Sequence, residues 1–489
     1  MSGGNRRRQK LSRRIRRRTG RIRKLHNKDQ LVGLQRWFLP DETIFADLNF
    51  HGNTSWSPGA LVWLAIWWAW IKTRNLTDAL ADAVEASRRV CVSSPLRTYQ
   101  GFMKALVTWT PDFVDLLCPL LQKRMQTIGG RFWRIHGWVP IAFDGSRSSA
   151  PRTKSNEKAL CAPNYGKGKT ARYRKKKTKG MRRTKNEKNK AQPQKPQAWI
   201  TLMWHMGLRM PWTWRLGPSN SSERSHVMEM IESGKFPRNT LFCGDAGFVG
   251  YPLWSKILER GGHFLVRVGS NVDLLTEAKN YQVLRSGKVL CWPRAAMQAK
   301  KLPLQLRLIR IVLGNNHAWM LTSVLNPQDL TATQIVRFYK MRWGVEVEFR
   351  CLKQTFDCAK LRSRNPQRLL AELNWSIMAV AVAELFALKQ QLSSRADKMA
   401  SHPHKRSFAK TLRALRYCLR CLDDPLIEGS DLLTRLRTAV TDDYQRKTSK
   451  KARYRPPNPD KKPLGDPKVR QLLPKERRKL EQIRAGLIA

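Results

Sequence analysis

Residues 338–353 read FYKMRWGVEVEFRCLK, a stretch with helical spacing around which the interpretation of the whole chain is built. Four polar side chains of this stretch stand at positions 0, 3, 7 and 14 counted from Tyr339: Tyr339, Arg342, Glu346 and Lys353. An α-helix turns about 100° per residue, so all four fall within about one third of its circumference. A carboxylate between an aromatic hydroxyl and two cations suits a metal ion beside a phosphate.

Glu346 has two competing interpretations when it is considered alone. It is compatible with an ordinary i, i+4 ion pair to Arg342 or Arg350 on the helix surface. Glu348 is the alternative acidic residue, but it lies about 200° around the helix from Glu346 and therefore off the polar stripe. Glu346 is the preferred candidate for chemistry.

The charge of the chain predicts a polyanionic partner. The 489 residues include 93 Lys plus Arg against 36 Asp plus Glu, a formal net charge of +57. Nucleic acid, bound through phosphate contacts, is the simplest such partner. A membrane is disfavoured, because the longest apolar run, residues 60–71, is shorter than the roughly 20 residues that span a bilayer. The length predicts two to four domains.

The cysteines and the N-terminus favour the cytoplasm. Nine cysteines are scattered along a long chain, which fits a reducing compartment better than a disulfide framework. The Arg-rich N-terminus has no apolar segment after it and does not resemble a secretory signal. Cys418 and Cys421 form one CxxC, interpreted as two small apolar residues on a helix rather than as a zinc site.

The first third of the chain is expected to be a basic arm followed by helices. Residues 1–30 form the arm, and the first 24 contain twelve Lys or Arg and no acid. An all-helical DNA-binding domain is predicted over residues 31–135. Its helices are expected at 58–71, 76–90, 96–109 and 112–128, and Trp63, Trp67 and Trp70 have core spacing.

The pattern then changes to alternating strands and helices. Strands are predicted at 138–144, 198–206, 211–217, 239–245 and 263–269. Asn220 and Glu223 resemble a capping pair that opens a helix running to about 233, and a further helix is predicted at 252–260. A mixed sheet with helices on both faces explains this order, so the fold class is α/β in this region and α+β overall.

Two insertions and a helical C-terminal part complete the predicted organisation. Residues 152–195 hold seventeen Lys or Arg and two Glu and are interpreted as a flexible basic insertion. Residues 272–328 read as a β-rich insertion with one clear hairpin around residues 314–316. A long helix begins near 333, a C-terminal helical region covers 363–440, and a basic tail covers 441–489 with a short helix near its end.

Asp144 and Asp245 are the other candidates for chemistry. Each ends a predicted strand, and carboxyl ends of neighbouring strands are where ligands gather in such sheets. Each is also compatible with an ordinary turn after a strand. Together with Glu346 they provide the carboxylates that hold two divalent ions about 4 Å apart for phosphodiester chemistry. Mg²⁺ is the expected ion, with Mn²⁺ as its substitute.

These motifs resemble a known family. YKMRWGVEVEFRCLK matches the pattern Tyr, two residues, Arg, three residues, Glu, six residues, Lys, the signature of one large group of bacterial insertion-sequence transposases of the DDE class. FDGS around Asp144 and CGDAGF around Asp245 are similar to the two aspartate motifs of that family and occur in the right order. The resemblance covers about residues 138–390.

The resemblance implies a ribonuclease-H-like catalytic domain, here residues 136–362, with its β-rich insertion before the last catalytic residue. It implies that Asp144, Asp245 and Glu346 bind the metal ions and that Tyr339, Arg342 and Lys353 contact DNA near the cleaved phosphate. In members that cut through a hairpin, an insertion-domain tryptophan receives a flipped base. Trp319 occupies a similar position in the insertion. Simple packing of its ring within the sheet is an equally weighted alternative. The 152–195 insertion departs from the family.

The function expected from these residues and from the resemblance is a Mg²⁺-dependent DNA transposase. It would cleave the ends of an insertion sequence and transfer the strands to target DNA, as a dimer acting on double-stranded terminal inverted repeats in the bacterial cytoplasm, at the nucleoid. Two alternatives stay open: a nuclease or resolvase of the same fold that only hydrolyses, and a basic nucleic-acid-binding protein without an active site.

Overall fold

The structure is a computed structural model that describes residues 26–51, 54–71, 73, 75–90, 96, 98–161, 195–278, 286–314, 316–393, 402–427, 429–441 and 465–486. Most of the predicted basic arm, most of the 152–195 insertion and residues 442–464 of the basic tail lie outside these ranges.

The N-terminal part of the described chain is helical, as its apolar spacing predicts, although its first helix was not predicted and begins at Asn27, inside the stretch assigned to the basic arm. The first three helices are α1 (Asn27–Phe38), α2 (Pro58–Trp70) and α3 (Leu76–Arg89). Helix α2 begins where the Ser57 side chain accepts the N–H of Ala60, and Pro58 takes the first helical position, where its missing N–H costs nothing. The predicted tryptophan stripe of α2 is buried in the core.

The fourth helix corrects the prediction of two separate helices. Helix α4 (Tyr99–Gly129) runs unbroken for 31 residues although it contains Pro111 and Pro119. A proline inside a helix costs about 3 kcal/mol, which makes a break the better guess from sequence. Apolar residues along the whole helix, among them Phe102, Phe113 and Leu121, are fully buried, and this packing outweighs the local cost.

The C-terminal helices share their core with the N-terminal ones. These helices are α11 (Pro366–Ser393), α12 (Phe408–Arg420) and α13 (Leu432–Arg437). The Trp70 indole donates to the carbonyl of Ala379 at 2.8 Å, and the Trp375 indole donates to the Thr110 hydroxyl at 2.8 Å. Helix α11 is long and apolar enough to cross a membrane by composition, yet 89% of its most apolar window is buried, as in a core helix.

Ten strands form one mixed sheet in the described chain. They are β1 (Val139–Ser149), β2 (Gln197–His205), β3 (Met210–Gly217), β4 (Thr240–Gly244), β5 (His263–Val268), β6 (Asp273–Thr276), β7 (Ser286–Cys291), β8 (Leu304–Leu313), β9 (Asn316–Thr322) and β10 (Lys468–Gln471). Their order across the sheet is β10-β6-β7-β8-β9-β5-β4-β1-β2-β3.

The last five strands in this order form the predicted ribonuclease-H-like sheet. Strand β2 is antiparallel to β1 and β3, whereas β4 is parallel to both β1 and β5. The parallel connections contain the helices α6 (Glu223–Ser233) and α7 (Tyr251–Glu259), and a short helix α5 (Lys154–Ala159) follows β1. The predicted fold class, a mixed sheet with a β-rich insertion after a helical N-terminal region, is confirmed.

The β-rich insertion continues this sheet rather than forming a second one. Strand β9 pairs antiparallel with β5, and the predicted hairpin joins β8 to β9, while the short helix α8 (Arg294–Gln298) follows β7. Part of the basic tail also joins the sheet: β10 pairs in parallel with β6 and leads into α14 (Pro474–Arg484). The tail helix was predicted; its strand was not, because four polar-rich residues carry no strand signal.

The long helix predicted from residue 333 is divided into three parts. Helix α9 (Ala332–Arg342) is capped by Trp343, α10 (Gly344–Arg350) follows, and residues Cys351–Thr355 form a π-helical turn. Gly344 is required at the junction, because a Cβ there would lie 2.1 Å from the Trp204 ring. The wide turn alters the direction of Lys353 from that of a uniform helix.

A buried histidine in β2 makes stability depend on pH. The His205 ring stacks on Trp133, its Nδ1 accepts the N–H of Leu208 at 3.0 Å, and Nε2 lies 3.2 Å from the carbonyl of Trp133. Both ring nitrogens are thus used by the neutral form, and burial lowers the pKa of His205 from 6.5 to about 3.

Acidification is therefore expected to destabilise the fold through His205. The unfolded chain takes up a proton near pH 6.5 and the folded chain does not, so this contribution is complete above pH 6.5 and falls by about 1.4 kcal/mol per pH unit on the way to the folded pKa. Urea unfolding of wild type and His205→Gln between pH 7 and pH 4 measures the difference. Parallel stability curves for the two proteins would contradict the assignment.

Candidate active site

Two aspartates lie side by side where the parallel pairing of β1 and β4 ends. Ala142 pairs with Cys243, so Asp144 and Asp245 each stand two residues further along neighbouring strands. Parallel neighbours are about 4.8 Å apart, which brings the two carboxylates together. Asp144 does not end its strand as predicted, because β1 continues to Ser149 through its antiparallel pairing with β2.

The environment of Asp144 combines burial with neighbouring negative charge. Burial is the main cause that raises its pKa to about 6, and the charges of Asp245 and Glu346 act in the same direction. The N–H of Gly145, which donates to Oδ1 at 2.9 Å, and the Arg342 guanidinium oppose the rise. The chain therefore concentrates carboxylates from β1, β4 and α10 around one point.

Asp245 is held by the loop that follows β4. Its Oδ1 accepts the N–H of Gly247 at 2.8 Å, which fixes the side chain at the edge of the sheet. The same hydrogen bond occurs in ordinary turns, which the CGDAG sequence also favours. What distinguishes Asp245 from a turn residue is its position beside Asp144.

Glu346 and Arg342 face each other across the junction of α9 and α10. The Arg342 Nη2 lies 3.4 Å from the Glu346 Oε1, and the Arg342 side chain is only 7% exposed. Its buried Nε has no hydrogen-bond partner among the described residues. A buried guanidinium N–H without a partner is rare, and here it leaves a charged donor available beside the carboxylates.

Lys353 and Tyr339 reach the same neighbourhood from the ends of this helical segment. The Lys353 Nζ donates to the Ser146 hydroxyl at 2.5 Å, and Ser146 is two residues after Asp144 on β1. Burial lowers the pKa of Lys353. The Tyr339 hydroxyl accepts an N–H from Arg267 of β5 at 3.4 Å. The helical stripe seen in the sequence therefore lies over the ends of β1 and β5.

Glu348 points into the core instead. It is 6% exposed, and burial together with the Glu384 charge raises its pKa well above the ordinary value. Arg406 bridges to Glu384 at 3.2 Å with both side chains almost fully buried. The helical angle of about 200° between the two glutamates separates a core-facing Glu348 from a Glu346 that faces the aspartates.

Trp319 is covered by the C-terminal segment. It lies in β9, opposite Val268 of β5, and it is 5% exposed. Its indole Nε1 donates to the Asp466 carboxylate at 2.8 Å. Of the two roles considered for Trp319, packing within the sheet describes its present environment, and base capture would first require residues near Asp466 to move away.

One acidic residue near the aspartates was missed as a site residue. Glu223 opens α6, and a Cβ placed on Gly145 would lie 2.3 Å from its Oε1. The predicted capping role belongs to Ser222, whose hydroxyl accepts the N–H of Ser225 at 3.3 Å. No spacing rule links Glu223 to Asp144, since only the packing of α6 on the sheet brings them together.

Residues 139–382 match the family model of the transposase DDE domain, a range that covers strands β1 to β9, both aspartates, Glu346 and Lys353. The chain belongs to the DDE-class transposases. Membership confirms the DDE class inferred from the motifs around Asp144, Asp245 and Glu346.

Two proteins similar to this transposase are distant from it in sequence. It is 26% identical over 166 residues to a protein of Sinorhizobium fredii (strain NBRC 101917 / NGR234) named "Putative transposase y4zB", and the match covers 32% of this chain and 44% of the relative. The chain therefore spans less than half of that relative's length. A piggyBac transposase synaptic complex with hairpin DNA, solved by cryo-EM, matches 88% of both chains at 14% identity with a TM-score of 0.40.

The carboxylates of this transposase have the chemistry of a Mg²⁺ or Mn²⁺ site. Among the described residues, no three histidine, cysteine, aspartate or glutamate side chains already form a metal-holding group. Hard divalent ions prefer oxygen ligands, and Mg²⁺ keeps several waters, so a closed protein cage is not required. The negative charge that accumulates around Asp144 is what a bound cation would offset. The residues present therefore fit such an ion.

Proposed function

We propose that this transposase cleaves DNA at the ends of an insertion sequence and joins the freed strands to target DNA. The single observation that carries the proposal is that Asp144 and Asp245 lie two residues beyond the paired Ala142 and Cys243 of neighbouring strands, with Glu346 close enough to act on the Asp144 carboxyl. The spacing of Tyr339 and Lys353 around Glu346 further supports a place in the Tyr-Arg-Glu-Lys group of these enzymes.

Asp144, Asp245 and Glu346 would hold the divalent ions, Mg²⁺ in the cell and Mn²⁺ as a substitute. When bound, such ions lower the pKa of a water and neutralise the charge on the leaving oxygen of a phosphodiester. The protein supplies the positions of the carboxylates, and it keeps Asp144 partly buried, where electrostatic interactions are stronger than in water.

Arg342 and Lys353 are proposed to bind the phosphate that is cut. Arg342 has a buried N–H without a partner, and a guanidinium donates to phosphate oxygens through a planar fork. The Lys353 ammonium donates to the hydroxyl of Ser146, two residues after Asp144 on the same strand, and places a positive charge there. Tyr339 presents a hydroxyl on the same side. Trp319 would take a flipped base only in a pathway with a hairpin intermediate.

The reaction proceeds in two phosphoryl transfers at one site. Water attacks the phosphorus at the end of the element, the bond to the 3′ oxygen breaks, and a 3′ hydroxyl is released. That hydroxyl then attacks a second phosphodiester, on the opposite strand or in target DNA, and displaces its 3′ oxygen. No covalent bond to the protein forms, so binding and orientation by the chain are its contribution.

The expected partner is double-stranded DNA, in the form of terminal inverted repeats and target. The excess of 93 basic over 36 acidic residues supports salt-sensitive phosphate binding. Two ends have to be cut together, so the working unit is proposed to be a homodimer. The helical N-terminal region is proposed to bind the repeats, and the setting is the bacterial cytoplasm at the nucleoid.

The test is a strand-joining assay with the full-length protein. The substrate is a labelled duplex that carries the inverted repeat found beside the gene, with flanking DNA, supercoiled target and Mg²⁺. A nick that frees a 3′ hydroxyl, followed by a joined product, is expected. Nicks without any joined product would favour the hydrolytic nuclease. Binding without nicks, unchanged in Asp144→Asn, would favour the protein without an active site.

A further inference from the structure

Glu223 is a half-buried carboxylate beside the two aspartates. It is the first residue of α6, and it forms no ion pair or hydrogen bond with any residue in the described part of the chain. Its carboxyl lies so close over Gly145 that a Cβ at that position would be 2.5 Å from Cδ. Glycine at position 145 is thus what allows Glu223 to reach Asp144.

The charges around Glu223 are mostly negative. Burial is the largest cause that raises the pKa of Glu223, and the charges of Asp144 and Asp245 raise it further. The Arg147 guanidinium lowers it. The Arg147 guanidinium is itself engaged, since it stacks on the Trp199 ring 4.1 Å from the centroid. Carboxylates from β1, the loop after β4 and α6 therefore lie close enough to raise the pKa of Asp144 and that of Glu223, with Arg147 and Arg342 as the opposing cations. Such a concentration of negative charge is costly unless a further cation joins it.

A purely structural explanation of Glu223 is available and makes different predictions. An acidic residue in the first turn of a helix interacts favourably with the helix dipole, typically by a few tenths of a kcal/mol to about 1 kcal/mol. That explanation accounts for an acid in the first turn. It does not explain why the Glu223 carboxylate is half-buried or why it lies near the carboxylates of Asp144 and Asp245.

We infer that Glu223 is a fourth carboxylate of the active site, which holds a divalent cation together with Asp144 and Asp245, directly or through a bound water. The inference rests on the proposed function, because it assigns one more ligand to the same site. Glu346 of α10 acts on the pKa of Asp144, and Asp144 acts on the pKa of Glu223 of α6, so two helices each supply one glutamate near the aspartates.

Mn²⁺ binding by the full-length protein tests the inference without relying on catalysis. Bound Mn²⁺ is measured by electron paramagnetic resonance, and the unfolding temperature is followed as MnCl₂ is added at pH 8. Glu223→Gln is expected to need roughly 10-fold or more Mn²⁺ than wild type for the same stabilisation, as when other metal-site partners are removed. Without metal, Glu223→Gln is expected to unfold at a higher temperature than wild type, because a like charge is gone.

Glu229→Gln is the matched control, since it removes the same charge from an exposed position of α6. It should reproduce wild type in both measurements. If Glu223→Gln binds Mn²⁺ as wild type does, and is slightly less stable without metal, the helix-dipole explanation is correct and the inference is overturned.

The outcomes for the inference and for the proposed function can be separated. Loss of Mn²⁺ binding and of DNA cleavage in Asp144→Asn, with both retained in Glu223→Gln, removes Glu223 from the site and leaves the proposed function standing. If wild type itself neither binds Mn²⁺ nor cleaves the element ends, both fail together.

Discussion

Asp144→Asn is expected to lower the rate of DNA end cleavage by roughly 10³-fold or more, the size of effect seen when one essential group of a preorganised site is removed. The substitution keeps the shape of the side chain and removes the negative charge that would face a divalent ion. It is also expected to leave the fold intact, because Asp144 lies among like charges and its burial already disfavours the ionised form.

Three measurements separate lost chemistry from lost folding. Initial rates of nicking at saturating protein report the catalytic effect, filter binding reports affinity for the terminal repeat, and thermal unfolding reports stability. Asp112→Asn, an exposed position on α4, is the control for the change in net charge. The assignment would fail if Asp144→Asn nicked DNA within about 10-fold of wild type while Asp112→Asn did the same.

The second large effect is expected on stability. Arg406→Met removes the cation from a buried cluster in which Glu384 and Glu348 are its acidic neighbours. The Arg406 guanidinium also donates to the carbonyl of Leu208 at 3.0 Å and to that of Arg209. Removing one partner of a buried pair typically costs about 3–5 kcal/mol, because the remaining charge has lost both solvent and its partner. Here Arg209 is the cation that remains near the two glutamates.

The loss should depend on pH in a defined direction. Burial raises the folded pKa of Glu348 and Glu384 above 4.5, and without Arg406 that rise becomes larger. Groups with a raised folded pKa contribute stability that is present below the unfolded pKa and is lost as pH rises through the folded pKa. Arg406→Met is therefore expected to be least impaired near pH 4.5 and most impaired near pH 8.

Urea unfolding at the two pH values tests this expectation. Arg413→Met, an exposed position on α12, is the matched control and should change the free energy of unfolding by no more than about 0.5 kcal/mol. An equal loss for the two variants would show that the buried cluster does not stabilise the fold. The cluster joins α10 to α11, so its disruption is also expected to displace Glu346 and to slow cleavage.

The order of elements could be predicted because each strand and helix carries its own apolar period. The alternation of strands and helices from residue 139 to residue 268, the hairpin of β8 and β9 and the helical N-terminal region all follow from local spacing. Errors arose where distant packing outweighed a local signal. Pro111 does not break α4, the helix predicted from residue 333 is divided at Trp343, and β1 continues past Asp144 because β2 pairs with it.

The sequence by itself determined the family, the excess positive charge and the three candidate carboxylates, because a spaced motif on one helix and acids beside strands are local properties. Only the tertiary structure decided which carboxyls meet. It turned Glu348 into the core, covered Trp319 with Asp466 and brought Glu223 over Gly145. Those placements depend on how α6, α10 and the tail pack against one sheet. The periodicity within a single helix or strand does not determine its distance from another helix or strand.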